Sequence, residues 1–238
     1  MTLENLSDKK FISNDMAYWI GVAQSDAYFK RQFVKSIGVL RYQIALRVGE
    51  KSLPMQKKFE QISQKLFNIK GSNFKTLNEN IFPAYEYSFG CKNLLPVFRK
   101  LNINFIEPIP PDWILNSPKL FGAYLAGIID GDGDVRISNK KYPQCKIRIS
   151  NKNKPIQLIE SLKKILKCGV NNHIRIKESK LAERKFIGRC SITEFSISKK
   201  NYQYLYENVI NHLALIYKKD KIMDSIWMKR AVAGTFNC

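Results

Sequence analysis

Two stretches of this chain begin as apolar runs that carry glycine and alanine and keep their polar residues for the C-terminal end: Trp19 to Ala27 (WIGVAQSDA) and Leu125 to Gly133 (LAGIIDGDG). Each predicts a helix with little polar surface, one that packs on most of its circumference. The first covers about residues 16–25. The second is opened by Ser117 as a cap and by Pro118, whose fixed φ suits a first turn, and runs to about Asp130. Beyond each helix the hydrophobic period shortens from 3.6 to 2. Strands are predicted at 27–35 and 39–48 after the first helix, and at 134–139 and 144–150 after the second. A second helix follows in each half. One covers 55–67; the other opens at Lys154-Pro155 and repeats Ile156, Ile159, Leu162, Ile165 and Leu166 on one face. Further strands at 72–77 and 84–89, and near 173–177 and 186–198, precede a helix from about Lys200. Each half therefore reads αββαββα.

Four prolines, Pro108, Pro110, Pro111 and Pro118, separate the halves and predict an extended linker. The expected units are 1–107 (motif 19–27), a linker at 108–118, and 119–238 (motif 125–133). The halves resemble each other in order. Ala17-Tyr18-x-x-Gly21 matches Ala123-Tyr124-x-x-Gly127, 106 residues on, and Glu86-Tyr87-Ser88-Phe89 matches Glu194-Phe195-Ser196-Ile197, 108 residues on.

Charge changes the picture. Forty Lys and Arg against twenty Asp and Glu give a formal net charge of +20, which points to a polyanion, nucleic acid first. A ribosomal protein is the plain alternative, but basic low-complexity tails are missing. No run approaches the ~20 apolar residues of a membrane span. The five cysteines are scattered without a CxxC pair, so a zinc site or disulfide framework is not expected and a reduced setting fits. The two histidines, His173 and His212, are far apart. The start, MTLENLSDKKF, lacks the apolar core of a signal peptide, and an intracellular location is expected, in a prokaryotic cytoplasm or an organelle.

The eighth place of each motif is an acid: Asp26 and Asp132. Gly21, Ala23, Ala126 and Gly127 keep one face of each motif helix thin, so the helices can pack side by side about a pseudo-two-fold axis and bring both acids to the bottom of the seam. Two neighbouring carboxylates repel unless a cation lies between them. Mg²⁺ takes oxygen ligands, and such a site suits phosphodiester hydrolysis. Asp130-x-Asp132-x-Asp134 begins like a calcium loop, but Val135 and Lys141 stand where that loop needs glycine and glutamate. Alternatively, Asp26 is a helix-end acid without a role.

LAGIIDGDG resembles the signature of the LAGLIDADG homing endonucleases, and WIGVAQSDA is similar to the degenerate first copy found in their single-chain members. The resemblance implies an α+β fold of two pseudo-symmetric αββαββα repeats. Their four-stranded antiparallel sheets form a DNA-binding saddle, with the motif helices at the pseudo-two-fold axis. It implies that Asp26 and Asp132 bind the metals, helped by the carbonyls of Ser25 and Gly131, with Mg²⁺ as cofactor and Ca²⁺ or Mn²⁺ able to take its place. It also implies a polar residue at the end of each second strand. Asn151 fits in the second half, whereas Arg47 or Val48 breaks the pattern in the first. A lysine near the start of the last helix is implied too: Lys218 or Lys219, with no clear counterpart in the first half.

Strand alternation defines the DNA-facing candidates. One face carries Tyr28, Lys30 and Gln32, with Arg41 and Gln43 beside them. In the second half it carries Asp134, Arg136, Ser138 and Lys140, then Gln144, Lys146 and Arg148, extended by Arg175 and Lys177. Arg, Lys and Gln read purine edges in the major groove. The expected function is a monomeric, metal-dependent, intron-encoded endonuclease that cuts a long duplex site into staggered ends without a covalent intermediate. An intron RNA maturase and a non-cleaving DNA-binding regulator on the same fold are the alternatives.

Overall fold

The structure is a computed structural model that describes residues 11–35, 38–77, 83–105, 107–138, 144–181 and 184–234, and not the side chains at 34, 77, 138, 144, 177–181, 184–187 and 227–234. The first half runs α1 (Asn14–Ser25), β1 (Ala27–Val34), β2 (Val39–Gly49), α2 (Leu53–Phe67), β3 (Ser72–Leu77), β4 (Pro83–Gly90) and α3 (Leu95–Lys100). A short helix, α4 (Asp112–Leu115), follows. The second half runs α5 (Pro118–Asp132), β5 (Gly133–Ser138), β6 (Gln144–Asn151), α6 (Ile156–Leu166), β7 (Val170–Leu181), β8 (Arg184–Ser196), α7 (Tyr202–Asn208) and α8 (Ile216–Gly234). One correction follows: the proline-rich connection is not extended throughout, since Asp112–Leu115 closes a helical turn behind Pro111. Ser117 caps α5 and Pro118 takes its first position, as the sequence predicts.

Each half builds one four-stranded antiparallel sheet, ordered β1-β2-β4-β3 and β5-β6-β8-β7. The fold is α+β, with helices on one face of each sheet and the other face open. Core positions follow the alternation: Ile44, Leu46 and Val48 on β2, and Cys145, Ile147 and Ile149 on β6, are buried. Ile137 shares the inward alternation of the buried Val135 but is 45% exposed, near the outer end of β5. Trp19 of α1 anchors the first core. It stacks on Phe59 at 5.0 Å and Phe98 at 5.8 Å, and donates its indole N–H to Ser63 Oγ at 2.8 Å.

The motif helices form the centre. A Cβ placed on Gly21 would collide with the carbonyl oxygen of Tyr124 and lie 3.1 Å from Gly127 Cα; one on Gly127 would collide with that of Tyr18 and lie 3.0 Å from Gly21 Cα. Backbone therefore meets backbone, and larger residues would force the helices apart. Among the described residues no helix is long and apolar enough to cross a membrane.

Candidate active site

The seam delivers both motif acids to one place. Each stands where its helix ends: the Asp26 amide closes α1 on Val22 O at 3.0 Å, and Asp132 is the last residue of α5. A Cβ on Gly131 would lie 3.5 Å from Asp26 Cβ, which places the two helix ends in contact. Neither helix has a basic residue in its last turn. Both carboxylates thus sit at the negative ends of helix dipoles, where positive charge is called for.

Titration reflects this crowding. Asp132 is pushed up to about 7, by burial first and by the charge of Asp26 second, while Lys218 pulls it back. Asp26 is raised by burial, again against Lys218. Its side chain keeps an open solvent-facing side while protein crowds the others. Beside Asp132 lies a cavity of about 210 Å³ whose walls include Ser25, Glu107, Asn151, Lys152 and Lys154. Asn151 is buried, and its Oδ1 has no hydrogen-bond donor among the described residues. Two carboxylates, nearby backbone carbonyls and an unsatisfied amide oxygen form an all-oxygen donor set. That set fits a hydrated, hard divalent cation and not a soft one. Among the described residues no group of three or more His, Cys, Asp or Glu competes for a metal. A larger cavity, about 690 Å³, opens in the first half beside Phe11, Tyr42 and Phe67 and includes neither acid.

The structure separates the two candidate lysines. Lys218 is buried and donates to the carbonyls of Ile129 at 2.7 Å and Asp130 at 2.8 Å, at the end of α5. Burial lowers its pKa, against the pull of Asp130, Asp26, Asp132 and Asp134. Lys219, one place on, is half-buried and its charge opposes Lys58.

Asp130 explains why Lys218 arrives there. Its carboxylate is buried and accepts from Tyr18 Oη at 2.7 Å, Ala214 N at 2.7 Å and Leu215 N at 3.2 Å. The last two amides immediately precede α8, so Asp130 caps that helix and sets its phase. The pseudo-symmetric pair is Tyr124 and Gln24: Tyr124 Oη donates to Gln24 Oε1 at 2.7 Å. Gln24 Nε2 then donates to Asn104 O at 2.6 Å and Ile109 O at 3.1 Å. Sequence reading missed both pairs, although the 106-residue spacing aligns Tyr18 with Tyr124 and Gln24 with Asp130. The ladder equivalent of Asn151 is Val48, a buried apolar residue, so the first half lacks that amide.

On the open faces, Tyr28, Lys30, Gln32 and Arg41 are exposed, and Gln43 is half-buried, donating to Ser88 Oγ at 2.9 Å. Arg175 is exposed on the same side of the second sheet. Lys140 lies outside the described residues, as do the side chains of Ser138, Gln144 and Lys177. Four further candidates are not free surface cations or acids. Arg136 Nε donates to Asp134 at 2.5 Å. Lys146 and Arg148 both reach Glu194, at 3.1 and 2.9 Å. Burial raises the Glu194 carboxyl, and these two cations more than reverse it, leaving its pKa lowered. In the sequence, Glu194 stands out only as part of a repeat. The ladders show that this repeat is offset in space: Leu46 faces Tyr87 where Ile149 faces Thr193, a spacing of 106 along the chain, so Glu86 and Glu194 sit on different rungs.

Residues 121–212 match the family model of a LAGLIDADG-like domain. Among solved structures, the homing endonuclease I-DmoI in complex with DNA and manganese shares 18% identity, with a TM-score of 0.53 over 83% of this chain and 97% of that one. I-WcaI bound to its DNA recognition sequence shares 14% identity, with a TM-score of 0.52 over 92% of this chain and 94% of that one. The LAGLIDADG homing endonuclease I-GzeII in complex with its DNA target shares 12%, with a TM-score of 0.54 over 91% of each chain. No curated protein matches by sequence.

Proposed function

We propose, on the basis of the LAGLIDADG-like domain and single-chain homing-endonuclease fold that this chain has, that it is a site-specific, metal-dependent double-strand DNA endonuclease. The observation that carries this reading is the convergence of Asp26 and Asp132 at the helix seam, between two open sheet faces rich in basic residues. The chain supplies both halves of the site itself, so it acts as a monomer. We also infer an intracellular location, cytoplasmic or organellar, and an intron-encoded origin.

Asp26 and Asp132, with the carbonyls of Ser25 and Gly131, would hold divalent ions, Mg²⁺ first and Mn²⁺ or Ca²⁺ in its place. Such ions activate a water and neutralise the charge that develops on the phosphate. Asn151 Oδ1 would accept a hydrogen bond from a water of that site and orient it. Lys218, held by two carbonyls, places a fixed positive charge beside the acids, where an incoming phosphate gains from it. Cleavage at this seam would be direct hydrolysis with staggered ends, since the nearby Ser25 hydroxyl is turned back onto the carbonyls of Gly21 and Val22. Tyr28, Lys30, Gln32, Arg41, Gln43, Arg136 and Arg175 line the faces that would seat the duplex, in agreement with the net charge.

The test is a cleavage selection from randomised duplexes with Mg²⁺. A single long sequence cut on both strands is the expected result. Asp132→Asn should abolish cutting while duplex binding in Ca²⁺ persists. Affinity for intron RNA without cutting would favour the maturase instead, and Mg²⁺-independent duplex binding without cutting the regulator.

A further inference from the structure

The open face of the second sheet carries carboxylates where a surface that meets DNA has most reason to avoid them. One rung crosses all four strands: Asp134 faces Arg148, Arg148 faces Glu194, and Glu194 faces Asn171. It starts two residues beyond Asp132. Glu194 Oε2 takes Arg148 Nε at 2.9 Å, while Oε1 takes Lys146 Nζ at 3.1 Å. The Glu194 side chain is only 10% exposed and Arg148 is 31% exposed. A carboxylate so placed weakens attraction for phosphate, so it needs another reason to be there.

The bond through Nε supplies that reason. It pins the guanidinium plane and leaves the Nη1/Nη2 fork without another partner among the described residues. That fork matches the O6 and N7 acceptors of guanine. A side chain already fixed by a half-buried ion pair loses little freedom on binding. The flanking acids Asp134 and Glu194 repel a phosphate but not the neutral edge of a base. The rung therefore suits base reading better than backbone clamping.

We propose that Arg148 reads a guanine in the half-site under the second sheet, near the cleavage centre, and that Glu194 is its positioning residue. This rests on the DNA-binding part of the proposed function and is independent of cleavage.

The test selects randomised duplexes for binding to the full chain in Ca²⁺, so no cutting is needed. The native protein should enrich guanine at one inner position of one half-site, by at least about tenfold over other bases. Arg148→Gln should shift that position toward adenine, which a glutamine can bond through N6 and N7. Arg148→Lys should relax the same position and leave the other positions and the salt dependence unchanged, while Glu194→Gln should relax the same position and, by removing a carboxylate that repels phosphate, tighten binding to all duplexes alike. Both keep side-chain size, and thermal melts check their folding. The inference is overturned if the native protein enriches no guanine there, or if the Arg148 variants weaken all duplexes equally with a shallower salt dependence, which marks a phosphate contact. It is also overturned in part if Glu194→Gln leaves the position untouched, which removes the positioning role. Duplexes that are selected but never cut with Mg²⁺ would end the nuclease reading and leave this one standing.

Discussion

The two halves place a tyrosine and a polar partner at equivalent points of the seam, yet use them differently. In one pair Tyr18 bonds Asp130, and the acid goes on to collect two backbone amides ahead of α8. In the other Tyr124 bonds Gln24, and the amide goes on to donate to two carbonyls of the connecting segment. A carboxylate can only accept, so it holds the start of a helix; an amide also donates, so it holds a chain passing through. The first choice brings a helix and Lys218 to the motif acids. The second fastens the link between halves and brings no lysine. One substitution within a repeated motif thus makes the site asymmetric.

The largest effects should come from the acids that the halves share. Asp26→Asn or Asp132→Asn should lower cleavage on the order of 10³-fold or more, measured in single turnover with Mg²⁺. Asp132→Asn should at the same time raise the Tm of the metal-free protein at pH 8 by a few degrees. The sign follows from linkage. The folded Asp132 holds its proton up to about pH 7, whereas the unfolded one loses it near 3.8. The folded state is therefore progressively disfavoured as pH climbs between those values, and the penalty is complete above 7. An unchanged or lower Tm would mean that the carboxylates are not crowded.

Next in size is the lysine present in one half only. Lys218→Met should slow cleavage by about 10²-fold, and nicked duplex should accumulate because the strands are served unequally. Equal slowing of both strands on a gel would erase the distinction drawn between the halves. Smaller again is the competition between proton and metal. Below pH 7, Mg²⁺ affinity measured by calorimetry should fall up to about tenfold per pH unit as Asp132 protonates. A flat profile would remove Asp132 from the ligand set. The smallest difference separates the tyrosines. Tyr18→Phe loses a bond to an acid and should cost roughly 1.5–3 kcal/mol, against about 0.5–1.5 for Tyr124→Phe, whose partner is neutral. Urea unfolding measures both, and equal costs would mean the two pairs are energetically alike.

Much of this was legible in the chain. Hydrophobic period and capping placed α1, α5 and the strands within a few residues, because those signals are local. Alternation assigned Lys146 and Arg148 to the open face correctly. It could not reveal that both are held by Glu194, since cross-strand partners depend on register, and the two halves differ in register by two residues relative to their sequence match. Nor could it choose between Lys218 and Lys219. Adjacent helix residues point about 100° apart, and the phase of α8 is set by Asp130, more than 80 residues away in sequence.

The sequence alone determined which segments are helix or strand, which faces are apolar, and that an acid closes each motif, since these depend on residues a few places apart. Tertiary structure decided how closely the motif helices approach, which lysine enters the site, why an acid and an amide divide the seam between them, and which basic side chains are already paired. Those outcomes depend on contacts between residues mostly 40 or more positions apart, whose geometry exists only once the two halves have packed together.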